Sequence, residues 1–524
     1  MTGLASDAAA QPPTSSPPPP TAEVSGRAAS GASVLMIVNL LSRSIGIVST
    51  AALARLLTPN DFGIVSLAMI VVEFAQMLTD FQLTNALVRS PRRDEHLYAT
   101  AFTLGVLRGL ITAAGIALAA VPAGAMTGND HVRNVLLVLA LQPLIDGWRS
   151  PRMVDYIRNI DFTREAVVTI TGRVVAVAIM VLLAALTHSY WALVSGTIVA
   201  SVTMTTMTHI MRPFRPRFEL RDYRLFLGFG GWMSAAAMTN YLSFKLDSLI
   251  VAGKFGVARL GQYNLGIQIV GILTSQLAWA LQRAIFSALS TINDDLPRRL
   301  RAYAAAQTAM VGVLLPIGIG MVLVAHEAII VIAGPKWTDA IVVLRFVGPP
   351  MALGGLIESA QALLMVEGLT RTLFLRNLFT FCMRLSFLWA GLMLGGFTGM
   401  LIGLTIAGFL YVLLTLQLVS RHFHVSLIAP FLNAWRSFAA AGAMIVAVLL
   451  LDLALGAPGY GFTRNLTGLI AKSLGGGITY AGTQLLLWHL SGRPAGFERF
   501  VLDFAGRLIR GVTGRLRTHR WIAG

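Results

Sequence analysis

Apolar runs of about 20 residues recur along this chain, too long and too frequent for the interior of a soluble domain. A helix needs about 20 apolar residues to cross the hydrocarbon of a bilayer. Fourteen such spans are expected, near 34–56, 62–88, 97–121, 132–150, 166–186, 190–210, 225–251, 261–287, 302–325, 340–366, 372–394, 398–420, 434–455 and 466–490. Period-two alternation is absent, so the spans read as helices rather than barrel strands. Charged residues make up only 12% of the chain, about half the usual share in soluble proteins. The expected class is an all-α integral membrane protein.

Charge sets the orientation. The net charge is +17, and most of the excess lies in short connections after even-numbered spans. Arg92 and Arg93, Arg152, Arg158 and Arg164, Arg212, Arg215, Arg217 and Arg221, and Arg298, Arg299 and Arg301 all fall there. Connections after odd-numbered spans are poorer in charge: VPAGAMTGND, LTHSY and GGFTG carry no Lys or Arg, and others hold one or two. The positive-inside rule then places both termini in the cytoplasm and explains the charge without nucleic acid. Residues 1–30, with their PPPP run, lack an apolar signal region and read as a disordered cytoplasmic tail. Residues 493–524 read as a basic amphipathic tail on the inner membrane surface. The lone Cys382 excludes an intramolecular disulfide and any cysteine-based metal site.

A weak internal repeat organises the spans. At an offset of 198 residues, LTPNDFGIVSLA (57–68) falls on FGVARLGQYNLG (255–266), so that Gly63 meets Gly261 and Leu67 meets Leu265. The repeat holds six spans, an even number, so both copies share one orientation and are expected to be related by a pseudo-two-fold along the membrane normal. The domains follow: an N-lobe over 31–222, a C-lobe over 223–425 and two extra spans within 426–492. Two similar lobes leave a cleft between them, where transporters built this way bind substrate.

Ionisable residues inside spans are costly and mark the cleft. On the second span, Ser66, Glu73, Gln76, Asp80 and Thr84 form one polar stripe at helical spacing. Basic groups fall at Arg43, Lys245, Arg283, Arg345 and Arg384, and a further acid at Asp247. The surplus of bases suits an anionic substrate, because guanidinium stays charged and matches phosphate oxygens. Lys245 and Asp247, two residues apart, are expected to point to different sides. At the repeat offset Glu73 falls on Gly271 and Asp80 on Ala278, while Asn85 falls on Arg283. The two carboxylates therefore suit a coupling or gating role in an asymmetric cleft. No P-loop, metal-ligand cluster or nucleophile motif is present, so neither an enzyme nor a bound cofactor is expected, beyond a coupling proton or sodium ion.

The segment ARLLTPNDFGIVSLAMIVVEFAQMLTDFQLTNALVR (54–88 and Arg89) resembles the start of bacterial polysaccharide-export flippases. These form the Wzx-like branch of the multidrug/oligosaccharidyl-lipid/polysaccharide (MOP) superfamily. The features carrying the resemblance are Ala54 to Pro59, Asp61-Phe62-Gly63, and Asp80 to Val88. It implies two six-span lobes with spans 1, 2, 7 and 8 around a central cavity, in the bacterial inner membrane. It also implies a substrate, a polyprenyl-diphosphate-linked oligosaccharide carried to the periplasmic leaflet for exopolysaccharide or lipopolysaccharide synthesis. Polymerase and chain-length or export proteins of the same pathway are the implied partners, besides membrane lipid. Arg43, Lys245 and Arg283 are the first candidates for the diphosphate, Arg345 and Arg384 the second. Two rivals stand: a MATE-like cation-coupled exporter, and a membrane polymerase or glycosyltransferase, for which the outside connections (326–339, 456–465) are short.

Alkaline phosphatase, active only outside the cytoplasm, tests the orientation. Fusions within 456–465 are expected to be active and fusions within 212–221 inactive; the reverse pattern would reject the loop-charge reading.

Overall fold

A computed structural model describes residues 44–80, 83–90, 92–159, 161–223, 245–292, 295–456 and 459–493, with the single residues 38, 41, 42, 226, 241 and 498. Both tails, most of the start of the first span and much of the seventh thus lie outside the described residues, apart from Glu498. Among the described residues the fold is all-helical, with no strand.

The chain begins with α1 (Ser44–Leu56), which stops where the sequence breaks at Thr58-Pro59. There Thr58 caps α2 (Pro59–Leu78) by a reciprocal capping box with Asp61, and Pro59 takes the first turn, where its missing N–H costs nothing. The cap is worth about 1 kcal/mol. The expected span over 62–88 falls within a single candidate span, Pro59–Val88, that carries a local break. Thr79 leaves helical geometry, its hydroxyl bonding back to the Ala75 and Gln76 carbonyls, and a separate α3 (Leu83–Arg89) follows. Asp80 therefore sits in a break, and the polar stripe is helical only as far as Gln76.

The first half continues with α4 (Glu95–Thr127) and then α5 (Asp130–Leu139), α6 (Leu141–Gly147) and α7 (Val154–Arg158). These short helices replace the single span expected over 132–150. The antiparallel pair α8 (Phe162–Thr187) and α9 (Trp191–Met211) completes it. At the basic-loop end Arg158 donates to the carbonyls of Leu87, Ser90 and Arg92, and Arg92 pairs with both Asp94 and Asp222. The hydrogen bond from Arg92 holds the Asp94 carboxyl below its ordinary range.

The second half opens with helical residues 245–255 (α10) and α11 (Val257–Ser290). After α12 (Leu296–Leu323) the structure has a short helix, α13 (Ala325–Ile332), where an outside loop was expected. Then α14 (Thr338–Ala352) and α15 (Gly354–Val366) meet at a bend of 43°. The Pro349-Pro350 pair next to the bend cannot donate backbone hydrogen bonds. Next, α16 (Thr370–Phe423) is a hairpin of two arms: Gly395 and Gly396 leave helical geometry, and Gly396 adopts φ 57°, where only glycine is unstrained. The arms touch backbone to backbone, since a Cβ on Gly391 would lie 2.1 Å from the Gly399 carbonyl oxygen and one on Gly399 2.2 Å from that of Gly391. After α17 (Ala429–Asn433), the antiparallel α18 (Trp435–Leu455) and α19 (Phe462–Leu490) close the chain.

Seven of the described helices are long and apolar enough to cross a membrane, eight if α14 and α15 count as one bent span. Their outer faces carry fully displayed apolar side chains, among them Leu118, Leu186, Leu394 and Leu453. Only lipid covers such a surface favourably.

One buried cluster joins the two halves, running from Val135 and Leu139 through Ile64, Ala68 and Val72 to Val251, Leu260 and Tyr263, then to Leu388 and Met400. At its centre α2 crosses α11. A Cβ on Gly63 would lie 1.7 Å from the Val257 carbonyl oxygen, and one on Gly261 2.0 Å from the Pro59 carbonyl oxygen. These are the same two positions in each repeat copy, exchanged. Gly63→Ala and Gly261→Ala should each force the helices apart and lower the apparent melting temperature in detergent, an overpacking cost of about 1–3 kcal/mol. Gly320→Ala, where no atom lies within 4 Å of the added Cβ, should be neutral or stabilising. Equal melting for all three variants would show that the crossing is not close-packed.

Candidate functional site

The site is built where α1, α2, α10 and α11 converge. Gln268 of α11 reaches Thr50 of α1 at 3.3 Å, while α2 lies against α11 through the glycine crossing. Ten residues beyond Gly63, α2 presents Glu73 to the region of α10. Glu73 Oε2 lies 3.2 Å from Lys245 Nζ and 3.0 Å from the Tyr241 hydroxyl, which also lies 2.9 Å from the Ile70 carbonyl oxygen. The ion pair is more than a third exposed on both sides, 36% for Lys245 and 38% for Glu73. An exposed pair contributes only about 0–1 kcal/mol, so an incoming anion can take the ammonium at small cost.

Two residues on, Asp247 faces the other way, as the sequence spacing predicts, and is 3% exposed. The Tyr263 hydroxyl donates to Oδ2 at 2.6 Å, and so does Arg384 Nη2, also at 2.6 Å. The Ser248 amide donates to Oδ1 at 3.1 Å, and the Ser248 hydroxyl reaches Asn264. This clasp ties α10 to α11 and to the first arm of α16. Asp247 is the buried member and Arg384 is 35% exposed, so it is loss of Arg384 that would leave a buried charge uncompensated, at a cost of about 3–5 kcal/mol.

The other expected residues are dispersed. Asp80 lies 3.4 Å from Arg108 of α4, which also reaches the Gln76 carbonyl. Arg283 is exposed, two turns before the end of α11. Arg345 lines a separate pocket with Glu327, Asp452 and Lys472. Arg43 lies outside the described residues. The structure thus brings together Glu73 with Lys245 and Asp247 with Arg384, and it sets Asp80, Arg283 and Arg345 apart from those pairs.

Three features were not read from the sequence. Tyr241 and Tyr263 supply hydroxyls to the two acids; tyrosines inside apolar runs were the available signal. Arg376 is buried on the first arm of α16, donating to Gln361 and Asn377. The third feature closes one end of the site. Trp337 is fully buried, donating through Nε1 to the Ala54 carbonyl at 2.9 Å and stacking edge-on against Phe62. Lys336 Nζ reaches the Arg55 carbonyl at 2.9 Å, and Arg55 in turn donates to the Val331 and Ile332 carbonyls. Burial there pulls the Lys336 ammonium below its ordinary pKa. The loop before α14 is thereby fastened to the α1–α2 break.

Paired charges held between two halves of an all-helical, multi-pass membrane protein define a transporter-type architecture. The chain belongs to the family described as polysaccharide biosynthesis protein, whose profile matches residues 52–342. It is similar to the lipopolysaccharide biosynthesis protein WzxC of Escherichia coli (strain K12), 24% identical over 397 residues that cover 73% of this chain and 78% of that one. It also resembles the succinoglycan biosynthesis transport protein ExoT of Rhizobium meliloti (strain 1021), 23% identical over 56% of this chain and 60% of that one. The fold is that of the lipid II flippase MurJ in its inward closed conformation, with a TM-score of 0.67 at 10% identity, covering 87% of this chain and 98% of that one. A multidrug resistance MATE family transporter of the MOP superfamily, inward-facing, superposes with a TM-score of 0.54 at 16% identity, over 73% and 94%.

Arg384→Met should lower folded yield and melting temperature strongly, whereas Arg384→Met combined with Asp247→Ala should recover much of the loss. A double variant as unstable as the single one would show that Asp247 is not the charge left stranded.

Proposed function

We propose that this chain is a flippase that moves a polyprenyl-diphosphate-linked oligosaccharide repeat unit from the cytoplasmic to the periplasmic leaflet by alternating access. The relatives named for lipopolysaccharide and succinoglycan biosynthesis and the fold of a lipid II flippase support the substrate class. The observation that carries the mechanism is the exposed Lys245–Glu73 pair across the two halves. A diphosphate, carrying more charge than a carboxylate, competes for Lys245 and releases Glu73. Glu73, with Asp80 and Asp247, then serves coupling or gating by a proton or sodium ion. Lys245, Arg283 and Arg43 receive the diphosphate. Arg384 joins them only in a state that frees it from Asp247.

The finer architecture belongs to the same proposal. Two six-span lobes, over 31–222 and 223–425, are related by a pseudo-two-fold along the membrane normal, and two further spans lie within 426–492. The exchanged Gly63 and Gly261 contacts and the 198-residue offset support that relation. The protein lies in the inner membrane with both termini cytoplasmic, working beside the polymerase and export proteins of its pathway. A cationic drug is the poorer substrate, because Glu73 and Asp247 each already hold a protein cation.

In a strain lacking the chromosomal copy, Lys245→Ala and Arg43→Ala should abolish polymer export at normal protein abundance. Lipid-linked repeat units should accumulate on the cytoplasmic face, and Lys245→Arg should retain part of the activity. Full export by Lys245→Ala would remove Lys245 from the site, and a drug-sensitivity phenotype without a polymer defect would reverse the substrate assignment.

A further inference from the structure

Between the second half and the extra pair α18–α19 lies a pocket of about 450 Å3, within the size range of small-ligand sites. Its floor is a triad in which Lys472 and Glu327 are buried and Asp452 is 38% exposed. Lys472 of α19 is 4% exposed and bonds both Glu327 of α13 and Asp452 of α18. Two carboxylates share one ammonium, so the triad has one negative charge in excess. Glu327 is itself 4% exposed, and its second oxygen, Oε2, is buried with no hydrogen-bond partner among the described residues. A buried carboxylate oxygen left without a donor is costly, so it calls for a donor from outside the chain. At the mouth stands Arg345, whose exposed guanidinium has no bond or ion pair among the described residues. His326, also on the rim, is turned to the Gly459 carbonyl.

The surroundings identify the source of the occupant. Leu453, on the rim, is 80% exposed on the lipid-facing side of α18. Asp452 lies one turn from the end of that 21-residue apolar helix at Leu455, and a helix of about 20 residues that crosses the hydrocarbon ends among the headgroups. The pocket shares its end of the molecule with the α1–α2 break, since Arg55 lies 4.7 Å from the Phe462 ring at the start of α19 and bonds Ile332 at the end of α13. We propose that this pocket binds the headgroup of a phosphoethanolamine phospholipid. The primary ammonium donates to Glu327 Oε2 and offsets the excess negative charge of the triad, while the phosphate takes the Arg345 guanidinium. A choline headgroup has no N–H to give Glu327, and a glycerol headgroup leaves the triad's negative charge unmatched. The bound lipid fastens α18 and α19 to α13 and α14, independently of what the cleft transports.

The test uses the full chain in detergent with added phosphatidylethanolamine, phosphatidylcholine or phosphatidylglycerol, read by native mass spectrometry and by melting temperature. Phosphatidylethanolamine should be retained about tenfold better than the other two, the scale of one charge-assisted hydrogen bond. Arg345→Ala and Glu327→Gln should each erase that preference, and Arg345→Lys should keep part of it. Arg345 is exposed, so its variants fold whether or not Glu327→Gln does. Equal retention of all three lipids, or a preference for phosphatidylglycerol, would overturn the proposal. Free phosphoethanolamine binding as tightly as the lipid would overturn the lipid source. A preference that survives Arg345→Ala would remove this pocket from it.

Discussion

Everything at the centre of the molecule depends on two helices touching backbone to backbone. Glycine at 63 and 261 removes the side chain that would hold α2 and α11 apart, and carbonyl oxygens of Val257 and Pro59 fill the vacated space. Close approach without a side chain between them is how helices gain dispersion contacts where water offers no driving force. The crossing fixes the origin from which Glu73 is carried to Lys245, and it brings Tyr263 within reach of Asp247. The two ion pairs then differ at their acids: Glu73 is 38% exposed, while Asp247 is 3% exposed and also accepts from Tyr263 and the Ser248 amide. The open one exchanges partners at low cost, and the closed one resists it. A moving part and a fixed part are thus set side by side on consecutive faces of α10.

The sequence made the membrane class, the helix content and the break at Thr58-Pro59 legible, because each rests on local chemistry: apolar length, period, and a capping box with proline. Gly63 and Gly261, which the 198-residue offset aligns, are the positions that meet at the crossing. What stayed hidden is what depends on distance along the chain. Glu73 and Lys245 are far apart in sequence, and nothing local announces that they pair rather than both face a ligand. Arg345 was grouped with the cleft bases on charge alone, and its neighbours place it in a different pocket.

Other departures have local causes. The polar stripe of α2 was drawn through Asp80, but the Thr79 hydroxyl competes for backbone carbonyls and the helix stops there. The connection over 326–339 looked like loop because it was short and held Gly334 and Pro335. Residues 325–332 instead continue as a helix, because Ala325, Ala328, Ile329 and Ile330 have a buried surface to meet. Lys472 lies inside an apolar run and Glu327 in the expected connection over 326–339, so nothing local joined them, although a lysine inside a span implies a nearby acid.

The hairpin of α16 bears on how the protein is made. Its arms meet at Gly395 and Gly396 with almost no chain between them, so neither arm can settle in lipid while the other waits in water. Insertion into the bilayer has to treat residues 370–423 as one cargo, threaded and released together. The apex offers no slack for an inserted tag or a protease.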